Sequence, residues 1–161
     1  MRLIEQRFLR GPNLWSSGSA LHAVLDLGPL QQAMSCDTHG FSERLLACLP
    51  GLARRAAALH DGCLIAEVLG MVMLELQGQC ASPPATGRVI VVLGHRGQAT
   101  IIVPCTTAAA GAQACAAALA IVASLLTSKP AGVPRLAPPI RMPPLTVPVA
   151  PHLPALAQCA P

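Results

Sequence analysis

Val89-Ile90-Val91-Val92-Leu93 and Ala99-Thr100-Ile101-Ile102-Val103 are two β-branched runs joined through Gly94-His95-Arg96-Gly97, and their reading decides the fold. Runs rich in Val, Ile and Thr form strands, and a short Gly-containing connection folds them into an antiparallel hairpin. Downstream, Thr106 to Leu126 is uncharged and Ala-rich, which predicts a helix ending near Lys129-Pro130. Upstream, Cys63 to Leu76 is interrupted only by Glu67, Gly70 and Glu75, so it reads as a central helix buried on most sides. Further out, Phe41, Leu45, Leu46 and Leu49 recur at helical spacing, with Ser42 and Glu43 in the first turn and Pro50-Gly51 as a stop. Leu21 to Leu27 sets Leu21, Ala23 and Leu25 against His22, Val24 and Asp26, the alternation of a half-buried strand that Gly28-Pro29 closes. Leu3 to Leu9 is the first strand, broken by Arg10-Gly11-Pro12-Asn13. No regular βαβ repeat runs through this order. The expected class is α+β, with helices packed on a largely antiparallel sheet.

Composition sets bounds on function. The chain has 161 residues, 53% of them hydrophobic and 11% charged, enough for one domain with a core and too apolar for a disordered chain. That domain is expected over residues 1–128. In 129–161, Pro130, Pro134, Pro138, Pro139, Pro143 and further prolines fix φ and remove backbone donors, which predicts an extended or disordered tail. Its Pro138-to-Pro144 stretch, PPIRMPP, reads as solvated tail ahead of a ligand for a Pro-recognising partner. Two Phe, one Trp and no Tyr, with a net charge of +4 gathered in no run, argue against nucleic acid. Met1 to Leu9 lacks the pattern of a secretory signal, so a cytoplasmic location is expected. Thr106 to Leu126 is long enough to span a bilayer, but its many Ala, with Gly111 and Gln113, favour a buried helix over a membrane contact. Cys36, Cys48, Cys63, Cys80, Cys105, Cys115 and Cys159 show no metal spacing and read as small buried hydrophobes in a reducing cytosol. His22, His39, His60, His95 and His152 have no mutual helical spacing and read as surface or core residues, not ligands.

The strongest local signal is Phe8-Leu9-Arg10-Gly11-Pro12-Asn13-Leu14-Trp15, where a strand enters a Gly-Pro-Asn turn that ends on the only Trp. It is followed in order by Val24-Leu25-Asp26-Leu27-Gly28, Gly40-Phe41-Ser42-Glu43-Arg44-Leu45-Leu46, Leu49-Pro50-Gly51-Leu52 and Leu74-Glu75-Leu76-Gln77. This series resembles the N-terminal domain of cyanophycin synthetases. The resemblance is close over roughly residues 1–80, is a strand-then-helix pattern over 88–127, and stops at 129. It implies an α+β domain that holds the Asp-Arg polymer cyanophycin near ATP-dependent modules and in some members cuts it to make primers. No Gly-rich phosphate loop occurs, and 161 residues leave no room for an ATP-grasp module, so polymer synthesis is not expected.

The cutting activity of the family resides on a helix reading H-x-x-E-H ahead of LELQ. Its two His lie on one helical face to hold a metal, and the Glu activates the metal's water. Counting back from Leu74-Glu75-Leu76-Gln77 sets Glu67, Gly70 and Met71 at these three positions. Glu75 alone of the family's acidic positions remains, and one carboxylate does not hold a catalytic zinc. Ala53-Arg54-Arg55-Ala56-Ala57-Ala58-Leu59 is shorter than the family's Cys- and Gly-rich segment, and Gly78-Gln79-Cys80-Ala81-Ser82-Pro83-Pro84 replaces its Gly-Phe-Gly-Arg segment. Glu67, on the most apolar helix, must open to solvent or meet Arg54 or Arg55.

The resemblance thus implies a non-catalytic, stand-alone module with no cofactor, catalytic residue or metal site, an accessory to cyanophycin or its synthetase. Arg10, Asn13, Trp15, Glu43 and Arg44 are the candidate polymer- or partner-binding residues, because they lie in the matching blocks and offer both charge signs. Bland roles stand beside these: Arg10 and Asn13 as holders of turn carbonyls and amides, Trp15 as a core or rim anchor. Two alternatives stay open, a metal-dependent cyanophycin-cleaving hydrolase and a decaying gene product.

Overall fold

The alternation read from the strands builds the sheet. A computed structural model describes residues 1–38, 40–78 and 89–127. The expectations for the Pro-rich tail, His39, His152, Cys80, Cys159 and the segment 79–84 lie outside these residues. Strands β1 (Arg2–Leu9), β2 (Ala20–Asp26), β3 (Ile90–Leu93) and β4 (Gln98–Pro104) form one sheet in the order β1-β2-β4-β3. Every pairing is antiparallel. Leu21 opposes Val103, Ala23 opposes Ile101 and Leu25 opposes Ala99. All six are buried on the face that meets the core. The other face carries a row of Arg7, His22, Ile102 and Ile90, and beside it a row of Glu5, Val24, Thr100 and Val92.

Four helices join the sheet: α1 (Phe41–Cys48), α2 (Ala56–Asp61), α3 (Ile65–Leu76) and α4 (Ala108–Thr127). Helix α3 is the central one, packed on β3, β4 and α4, with Ile65, Val68, Leu69, Val72 and Met73 among its buried side chains. Helix α4 is long and apolar enough to cross a membrane, with a mean hydropathy of 1.9. It lays Gly111, Ala114, Cys115, Ala118, Val122 and Leu125 inward. Steps of three and four residues keep these on one stripe, which meets α3 and β2.

Element ends shift by one or two residues from the sequence reading, and two differences have a clear physical cause. Cys63 and Leu64 were expected inside the central helix, but Leu64 bridges Met34 and is extended at φ −60 and ψ 143. The Ser35 N–H donates to the Cys63 carbonyl at 2.8 Å, and the Ile65 N–H to the Ala33 carbonyl at 3.0 Å. This long-range pairing outcompetes one more helical turn. After α1, Pro50-Gly51 redirects the chain into a 3-10 turn, Pro50–Arg55, and then into α2. That short helix has little sequence signal, because Ala56-Ala57-Ala58-Leu59 has one large apolar anchor, Leu59, and no amphipathic period.

Buried serines tie these pieces together. Ser35 Oγ donates to the Leu59 carbonyl at 2.6 Å and accepts the Cys63 N–H at 3.0 Å. Ser42 Oγ donates to the same carbonyl at 2.9 Å. Ser35 is 1% exposed, so its loss would leave the Cys63 N–H without this acceptor and the Leu59 carbonyl with one donor fewer. Ser35→Ala is expected to lower unfolding stability by roughly 1–3 kcal/mol, read by denaturant titration; an unchanged midpoint would show that the network is dispensable.

Candidate functional site

The connection between β1 and β2 folds around one side chain. Asn13 Oδ1 accepts the Trp15 N–H at 2.9 Å and the Ser16 N–H at 3.0 Å. Asn13 Nδ2 donates to the Arg10 carbonyl at 3.3 Å and the Gly18 carbonyl at 3.2 Å. Both donors and both acceptor positions of the amide are therefore used within the loop. The Asn13 N–H also donates to the Ser16 carbonyl at 2.9 Å. The Gly11–Pro12 peptide is cis. Gly11 lies so close to Gly18 that an added Cβ would sit 2.2 Å from the Gly18 carbonyl carbon, so only glycine fits there. Held this way, the loop presents Arg10, Leu14 and Trp15 outward, with Leu14 95% and Trp15 45% exposed. Trp15 is a rim residue and not a core anchor. Leu14 was missed by sequence reasoning; its one signal is an apolar residue beside Trp in a turn.

Glu43 and Arg44 lie elsewhere, on α1, which packs on α2, α4 and the Pro50–Arg55 turn. Arg44 Nε donates to the Gly40 carbonyl at 3.0 Å. A Glu43 carboxylate oxygen is 4.0 Å from His60 Nδ1. The five candidates thus divide into a loop group at one end of the sheet and a helix pair in the other layer.

The residues on α3 do not fit the zinc that the resemblance would bring. Glu67 opens to solvent, and its carboxylate accepts the Leu64 N–H at 3.0 Å, closing the first turn of the helix. Gly70 offers no donor, and a Cβ added there would lie 2.3 Å from Val89 Cγ1. Met71 is 7% exposed and belongs to the core. Glu75 lies against Gly51, where an added Cβ would overlap its carboxylate. A solvent-facing carboxylate, no donor and a buried thioether do not make a tetrahedral zinc set. Among the described residues, no three His, Cys, Asp or Glu side chains gather as a metal site.

Four of the described thiols are pushed up by burial. Burial pushes Cys105 and Cys115 up from the ordinary thiol value. Burial also raises Cys63, against its side-chain hydrogen bond with Ser35 and with Glu67 adding to the rise. At Cys48 burial outweighs the opposing pull of Arg44. Thiols raised in this way stay protonated near neutral pH. Cys36 is exposed and Cys48 half-buried, so among the described cysteines the buried reading holds for Cys63, Cys105 and Cys115.

The geometry of the loop predicts that Asn13→Ala frees Trp15, raising its fluorescence quenching by acrylamide and lowering stability by about 1–2 kcal/mol. Asn13→Asp, which keeps the acceptors and loses the two donors, is expected to fall between; quenching unchanged in both variants would refute the loop's dependence on this amide.

Comparison with known families supplies the remaining observation. A family model described as the cyanophycin synthase-like N-terminal domain matches residues 22–127. The match begins within β2 and ends with α4, so it reaches further along the second half than the sequence blocks did, while Phe8 to Trp15 lies ahead of it. A comparison with curated proteins finds no match. With most of the chain matched, and with helices packed on an antiparallel sheet, the chain belongs to the family of cyanophycin synthase-like N-terminal domains.

Proposed function

We propose that this chain is a non-catalytic member of its family, a cytoplasmic accessory module that binds cyanophycin or its synthetase. The observation that carries this reading is α3: where the resemblance expects metal ligands, the helix has a cap, a packing contact and a core side chain in Glu67, Gly70 and Met71. The same packing supports a core role for α4 and no membrane partner, since its inward stripe is already engaged by α3 and β2. Cyanophycin displays carboxylate and guanidinium groups. Arg10 and Arg44 match the former and Glu43 the latter, and the exposed ring of Trp15 offers a face to a guanidinium. Asn13 contributes by holding the loop.

Exposed ion pairs contribute only about 0–1 kcal/mol each, so several must act together, and binding must weaken as salt screens them. Co-sedimentation with cyanophycin granules is therefore expected at low salt and reduced at high salt. Arg10→Ala and Arg44→Ala should each lower the bound fraction while circular dichroism stays unchanged. Absence of binding to both polymer and synthetase at low salt would overturn the reading.

A further inference from the structure

We propose that the free edge of β1 pairs with the same edge of a second copy of this chain. Among the described residues β1 has a strand partner on one side only, β2, which leaves an eight-residue strand at the border of the sheet. Charged residues and bulges normally blunt such an edge, and β1 has both: Arg2, Glu5 and Arg7, with a register shift between Leu3 and Glu5. The charges do not repel a copy of themselves. Antiparallel pairing about a two-fold axis at Gln6 sets Glu5 opposite Arg7 of the second copy, and Arg7 opposite its Glu5, so both symmetry-related cross-strand pairs have opposite sign.

Glu5 and Arg7 already lie on one face, the one opposite the helices, and form an ion pair within the strand. Their side chains are 43% and 71% exposed and so can be shared with a partner. That register covers Glu5 to Arg7; the shift between Leu3 and Glu5 sets Leu3 on the core face opposite Leu25, so the pairing does not extend to Leu3 and Ile4. Leu3 and Ile4 are 37% and 47% exposed in the single chain. Arg2, also beyond the shift, has its charge offset by Asp26 at 3.1 Å. The pattern therefore resists arbitrary strands and accepts its own, joining two four-stranded sheets edge to edge.

Sedimentation equilibrium of the full chain over a concentration series tests this. The expected result is a reversible dimer of twice 16.5 kDa. Glu5→Arg and Arg7→Glu each turn two attractive pairs repulsive and should weaken association by roughly tenfold or more. The double variant restores opposite signs in the reversed order and should recover the dimer. Its recovery also shows that the single variants failed to associate and not to fold, which circular dichroism of each checks directly. A monomer at every concentration would overturn the proposal, as would a dimer that ignores the charge swaps or a double variant no better than the singles.

Discussion

The burial of α3 against the sheet and its neighbour α4 is the contact from which the rest of the structure takes its position. A helix with Ile65, Ala66, Val68, Leu69, Val72 and Met73 at no more than 1% exposure has almost no side left for solvent. Each such side chain stabilises by about 1.5–3 kcal/mol when fully buried, for the large aliphatic ones. The sheet must offer a continuous apolar face to receive it, which the rows Leu21-Val103, Ala23-Ile101 and Leu25-Ala99 provide. Helix α4 packs beside α3 on the same face of the sheet, where a Cβ added at Gly111 would come within 3.3 Å of Cys105 and Leu21.

The same constraint governs chemistry on α3. Glu67 escapes burial because it is at the start of the helix, where its carboxylate closes the first turn. Gly70 and Met71 do not escape. With Val89 packed over Gly70, the middle of the helix is a packing surface.

Much of this was legible in residue patterns. Alternation in Leu21 to Asp26 and the Val-Ile runs on both sides of Gly94 to Gly97 mark strands because half-buried pleats demand them. The nearly all-apolar run before Leu76 marked the buried helix. Features set by contacts distant in sequence were not legible. Cys63 and Leu64 look helical until Met34 bridges Leu64, and nothing around Ser35 announces a buried hydroxyl shared between Leu59 and Cys63. At the candidate site the resemblance located Glu67, Gly70 and Met71, whereas the clash between Gly70 and Val89 required coordinates. The loop's residue types gave the turn, but the full use of Asn13 within it, and the outward direction of Leu14, come from the closure of Gly11 on Gly18.

The central claim is that α3 serves as a core element in place of a metal-binding one, and thermal unfolding of Gly70→Glu, with and without added zinc, tests it most directly. The account predicts a variant destabilised by several kcal/mol, as for an unpaired carboxyl forced into an apolar core, and no recovery with zinc. A variant as stable as the parent whose melting temperature rises with zinc would contradict it.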